Sequence, residues 1–128
     1  MSEKSHRPLS PHLQIYRWQW TASYSILHRL TGIALCFGAL LIAAWFLALA
    51  YQDPDLFRAM HHFMGSWMGI TILAGFCWAL MYHCLNGVRH LFWDMGKGLS
   101  LEIGQFSGHF VFLTSIILTS IVMFVALT

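Results

Sequence analysis

The sequence predicts an all-α membrane protein with three transmembrane helices, and two observations carry that prediction. Of its 128 residues 58% are hydrophobic and 9% charged, with a mean hydropathy of +0.63, far from the roughly one-quarter charged composition of soluble domains. Three apolar stretches, about 30–51, 65–87 and 106–127, are each long enough for a bilayer, which takes about 20 residues of helix. Too little chain is left for a soluble catalytic domain, so residues 1–128 are expected to form a single transmembrane anchor domain.

Residues 1–22 precede the first span as an N-terminal interfacial segment. They lack the apolar core of a secretory signal and the Arg- and Ser-rich character of a transit peptide, and are expected to stay on the mature chain. Pro8 and Pro11 break any early helix. Tyr16, Trp18 and Trp20 then alternate with polar residues including Arg17, a pattern suited to the headgroup layer. Lys4, Arg7, Arg17 and Arg29 on the N-terminal side, with Arg89 and Lys97 in the second connection, outweigh Arg58 in the first. The positive-inside rule then puts the N-terminus inside and the C-terminus outside. A start at Met1 without a transit segment points to the bacterial inner membrane, with the mitochondrial inner membrane as the alternative.

Several chemistries are excluded. Cys36, Cys77 and Cys84 lie in separate places within spans, form no CxxCH and are too few for a four-thiolate iron–sulfur cluster. No GxGxxG or phosphate loop offers a nucleotide site, and the net charge of +2 without a basic cluster points to no nucleic-acid partner. Any chemistry must come from the few polar groups in or near the spans, where ionisable residues are costly and functional by default.

His83 is the best placed of these, about seven residues at 1.5 Å each from the middle of the second span. A neutral imidazole there needs a metal, a polar side chain or a backbone carbonyl as partner. Gly75, Ala79 and Gly87 share its helical face, so the strip through His83 is almost bare. Such a strip suits either a flat ligand such as haem or close packing of another helix. His90, seven residues on, lies about 10.5 Å further along the axis and cannot share an iron with His83 from opposite sides. With Arg89, Trp93 and Asp94 it is expected to form an interfacial anchor cluster. At the inner end of the first span, Ser25 and Arg29 lie one turn apart beside His28. They can hydrogen-bond a carbonyl or a carboxylate, or Arg29 can serve as a positive anchor alone.

The remaining polar groups read as structural. His61 and His62 are expected in a solvated loop beside Asp53, Asp55 and Arg58, and His109 against a neighbouring helix. Gly65 and Gly69 form a GxxxG, Ala39, Ala43, Ala44 and Ala48 add small positions, and Ser107, Thr114, Ser115, Thr119 and Ser120 can bond between helices.

The stretches RPLSPHLQIY (7–16), SILHRLTG (25–32) and HCLNGVRHLFWD (83–94), with three spans in this order, closely resemble the cytochrome b membrane anchor of succinate dehydrogenase, respiratory complex II. The resemblance runs through most of the chain. It implies that His83 is an axial ligand of haem b shared with a second anchor subunit. Ser25 and Arg29 would line a ubiquinone site, and His28 and Arg29 would lie near the haem propionates. The implied partners are a flavoprotein that oxidises succinate, an iron–sulfur protein and the lipid membrane. Two other readings stay open: an anchor of a quinol:fumarate reductase, and a haem-free structural membrane subunit.

Overall fold

The computed structural model describes residues 16–51 and 54–128, and the regular elements among them are all α-helices. Helix α1 runs Trp20–Ala50, α2 Pro54–Gly65, α3 Trp67–Asp94 and α4 Leu101–Leu127. The N-terminal segment as far as residue 15, with Lys4, Arg7, Pro8 and Pro11, lies outside the described residues, as does Asp53.

Helices α1, α3 and α4 are each long and apolar enough to cross a membrane, in agreement with the three expected spans. Their ends differ from the apolar stretches: α1 already starts at Trp20, α3 runs on to Asp94 and α4 starts at Leu101. Apolar runs end where polar residues begin, whereas a helix ends where its backbone finds a cap. The α3 terminus is a Schellman turn, in which Gly96 takes φ 71° and Gly96 N–H and Lys97 N–H donate to the Trp93 and Phe92 carbonyls at 2.8 and 3.0 Å. Ser100 then caps α4, its hydroxyl accepting from Ile103 N–H at 3.4 Å.

The solvated loop expected around His61 and His62 is instead helix α2. Pro54 occupies its first position, where a missing N–H costs nothing, and Asp55 sits in the first turn. Phe57, Met60 and Met64 recur at helical spacing as the half-buried face, while His61 and His62 are exposed. The element is short and weakly apolar, so a search for spans passes over it. Ser66 separates α2 from α3 and caps α3 by accepting from Gly69 N–H at 3.2 Å. Gly65 and Gly69 therefore lie in different helices and form no GxxxG face. Gly69 lies against the Phe63 carbonyl and Met64, and Gly65 faces open space.

Helix α3 is the centre of the bundle, packing on α4, α1 and α2. Two of the helix contacts in the bundle are made where an aromatic ring meets a glycine on a neighbour, one between α3 and α1 and one between α1 and α4. Phe76 fills the space a side chain at Gly38 would take, and Tyr24 does the same at Gly108. Of the four alanines only Ala48 is buried; Ala39, Ala43 and Ala44 are exposed. Polar bonds also tie α3 to its neighbours, among them Trp78 Nε1 donating to Ser115 Oγ at 3.1 Å, Tyr82 OH to the Tyr24 carbonyl at 3.0 Å and Arg89 Nε to Ser107 Oγ at 2.9 Å. Thr119 and Ser120 bond carbonyls of their own helix, so only Ser107 and Ser115 of the expected five bond between helices among the described residues. The three cysteines are free.

Candidate functional site

His83 projects from the middle part of α3 onto the turn of α1 that holds His28, Thr31 and Gly32. Its Nδ1 stands 3.1 Å from the His28 carbonyl and 3.3 Å from Thr31 Oγ1. Thr31 spends its own hydroxyl proton on the same carbonyl, at 2.9 Å. A carbonyl oxygen can only accept, so Nδ1 carries the proton and donates, and Nε2 keeps a free lone pair. The imidazole of His28 lies flat on that of His83, with centroids 4.0 Å apart and planes 14° apart. Gly32 closes the edge: a Cβ there would stand 3.0 Å from His83 Cε1.

The bare strip beside His83 is real but uneven. Ala79 is buried in the bundle, whereas a Cβ at Gly75 or Gly87 would meet nothing within 4 Å. Within this chain the two glycines are not used for helix packing. A haem would need from this chain one imidazole nitrogen with a free lone pair, clearance beside it and hydrogen-bonding groups for its carboxylates. The residues fit that need in kind: Nε2 of His83, the open sides of Gly75 and Gly87, and His28, whose Nδ1 is buried with no partner among the described residues. The orientation of Nδ1 by a backbone carbonyl is the arrangement usual behind metal-bound imidazoles.

His28 also brings His90 into the group. Its ring lies 5.2 Å from that of His90, which in turn meets Trp93 edge-on at 4.9 Å. His83 and His90 share a face of α3 as expected, with His28 of α1 set against both.

The expected anchor cluster of Arg89, His90, Trp93 and Asp94 does not form as such. Arg89 is only 7% exposed and turns into the bundle. Its guanidinium donates to Ser107 Oγ at 2.9 Å, to Asn86 Oδ1 at 3.1 Å and to the Gly104 carbonyl, and it stacks 4.1 Å over the Trp93 ring. The reason lies on α4, where Gly104 leaves its carbonyl uncovered within reach of the long side chain. Only Asp94 of the four is both polar and exposed.

Ser25 and Arg29 share one face of α1, Ser25 half-buried and Arg29 exposed, and neither polar group has a hydrogen-bond partner among the described residues. Both are therefore open to a ligand or a partner chain. His109 packs on α1 as expected, 5.5 Å from Tyr24 and 5.8 Å from Trp20. Sequence reasoning passed over Thr31 and Gly32. Their placement one turn and four residues after His28, in LHRLTG, was the available sign that a hydroxyl and a bare backbone accompany that histidine.

The profile of the family described as succinate dehydrogenase/fumarate reductase transmembrane subunit matches residues 3–122. The chain is 45% identical to the succinate dehydrogenase cytochrome b556 subunit of Paracoccus denitrificans, over 95% of both chains. It is 42% identical to the cytochrome b556 subunit of Rickettsia felis, over 88% of this chain and 87% of the relative. It is also 40% identical to the mitochondrial cytochrome b560 subunit of Sus scrofa, over 88% of this chain and 68% of the relative.

Proposed function

Because this chain belongs to the succinate dehydrogenase/fumarate reductase transmembrane subunit family, we propose that it works as the cytochrome b anchor of a succinate dehydrogenase, passing electrons from succinate oxidation to a quinone. The observation that carries this reading is the held imidazole: His83 has Nδ1 committed to the His28 carbonyl and Nε2 free, beside two glycines that face open space.

His83 would hold haem b through Nε2, and a second anchor subunit would complete the site, since His90 cannot serve the same iron. His28 and Arg29 would hold its propionates. When bound, haem b supplies a one-electron ferric/ferrous couple. Ser25 and Arg29 bind a ubiquinone carbonyl and stabilise the negative charge that builds on its oxygen during reduction. The apolar faces of α1 and α3 leave the quinone tail in lipid.

Electrons come from soluble partners, a flavoprotein and an iron–sulfur protein, because this chain has no motif for either group. They dock on the inner face, at the end of the bundle where α1 begins and α3 turns into α4, in the inner membrane of a bacterium. The names of the relatives from Paracoccus and Rickettsia support the succinate-oxidising direction over quinol:fumarate reduction.

A reduced-minus-oxidised spectrum of the detergent-solubilised complex tests the reading. A bis-imidazole b-type spectrum in the wild type that is lost with His83→Ala is the expected result. A full haem signal with His83→Ala would sink the ligand assignment, and no haem in the wild type would leave a structural anchor.

A further inference from the structure

We propose that Thr31 is a positioning residue for His83, reinforcing the choice of free imidazole nitrogen that the His28 carbonyl makes and fixing the direction in which that nitrogen points. The inference rests on the reading of His83 as an axial ligand.

An imidazole on a helix has two freedoms that matter for ligation: its tautomer and its rotation about the Cβ–Cγ bond. Thr31 constrains both. It is 3% exposed, so water does not compete for its hydroxyl. That hydroxyl donates to the His28 carbonyl at 2.9 Å, which leaves only oxygen lone pairs facing His83 Nδ1 from Thr31 at 3.3 Å and from His28 at 3.1 Å. With two acceptors and no donor opposite it, Nδ1 must hold the proton. The β-branch limits Thr31 to few rotamers on a helix, so the hydroxyl is itself fixed. The flat His28 ring on one face and Gly32 at the Cε1 edge complete the seat.

Two chemical consequences follow. The Nε2 tautomer needed for ligation is preset before any ligand arrives. A hydrogen-bonded Nδ1–H also makes Nε2 a stronger donor, which favours the ferric state and lowers the potential of a bound haem.

The test compares Thr31→Val, which keeps the shape and removes the hydroxyl, with Thr31→Ser, which keeps the hydroxyl, in the full detergent-solubilised complex. The readouts are haem per complex, the low-spin ferric electron-paramagnetic-resonance g values and the haem midpoint potential. Thr31→Val is expected to weaken haem retention about 10-fold, move the largest g value and make the potential more positive, and Thr31→Ser to restore all three. Should the valine complex fail to assemble, Thr31→Ala is read in the same way. Wild-type g values and potential in a variant without the hydroxyl would overturn the proposal. So would equal losses with serine and valine, which would leave Thr31 a packing methyl. His83→Ala is run alongside: if it keeps haem, the ligand reading itself falls, whereas loss of haem there with an unaffected Thr31→Val removes only the role of Thr31.

Discussion

The imidazoles of His28 and His83 are stacked in parallel across the α1–α3 contact, 4.0 Å between centroids. Because His28 also supplies the carbonyl that receives His83 Nδ1, one residue of α1 acts on His83 through both its side chain and its backbone. His28→Ala removes the ring and keeps the carbonyl. The expected cost is the stacking, about 1 kcal/mol, together with the ring's hydrogen bond to a propionate, about another 1 kcal/mol, seen as a haem that is retained but released faster under mild denaturant. Complete loss of haem with His28→Ala would mean that the ring itself is indispensable.

Arg29 is exposed on α1 and takes no part in holding the bundle together. Arg29→Ala is expected to lower quinone reduction on the order of 10²-fold, the usual effect of removing one donor to a developing oxyanion. The midpoint of thermal unfolding should stay put. Steady-state assays with a soluble quinone, paired with a melting curve, separate the two effects, and an unchanged rate would remove Arg29 from the quinone site.

Arg89 behaves in the opposite way, because its donors are spent on Ser107, Asn86 and Gly104 inside the fold. Arg89→Lys keeps the charge but cannot reproduce the planar fork. A loss of about 1–3 kcal/mol is expected, read as a lower thermal midpoint of the solubilised complex. A midpoint equal to that of the wild type would show the network to be dispensable.

At Gly108 the Tyr24 ring occupies the space of a side chain. Gly108→Val should force α1 and α4 apart at a cost of about 1–3 kcal/mol. The displaced Tyr24 backbone also takes with it the acceptor of the Tyr82 hydroxyl, which is otherwise fully buried. Tyr82→Phe isolates that bond and should cost about 1 kcal/mol. Melting curves of the two variants check the pair, and a stable Gly108→Val chain would contradict the close approach.

The three spans were legible in the sequence because a bilayer imposes one length and one composition, whereas the helix starts capped by Ser66 and Ser100 were missed, since hydropathy does not register a cap. The need of His83 for a polar partner was legible from its depth in a span, and the structure gives it the His28 carbonyl. The inward turn of Arg89 was not. Rules that count cations by position treat Arg89 and Lys97 alike, and only the uncovered Gly104 carbonyl on α4 distinguishes them. Helix α2 escaped notice because Asp55, Arg58 and the two histidines dilute its apolar face to three residues. Thr31 escaped because a threonine in a helix most often bonds its own backbone, as Thr31 also does, and its second neighbour comes from another helix.

The bonds from Trp78, Tyr82 and Arg89 leave α3 along one stripe, about a third of a turn round the axis from His83. Together they act as a torsional brake on the helix. A roll of α3 by about 20° would sweep a side-chain tip at a radius of about 6 Å through about 2 Å, enough to carry the imidazole out of its seat on α1. The bearing of His83 thus depends also on residues that never touch it, and a mutation at Ser115 or Ser107, on a helix that contributes nothing to the seat, can misalign it.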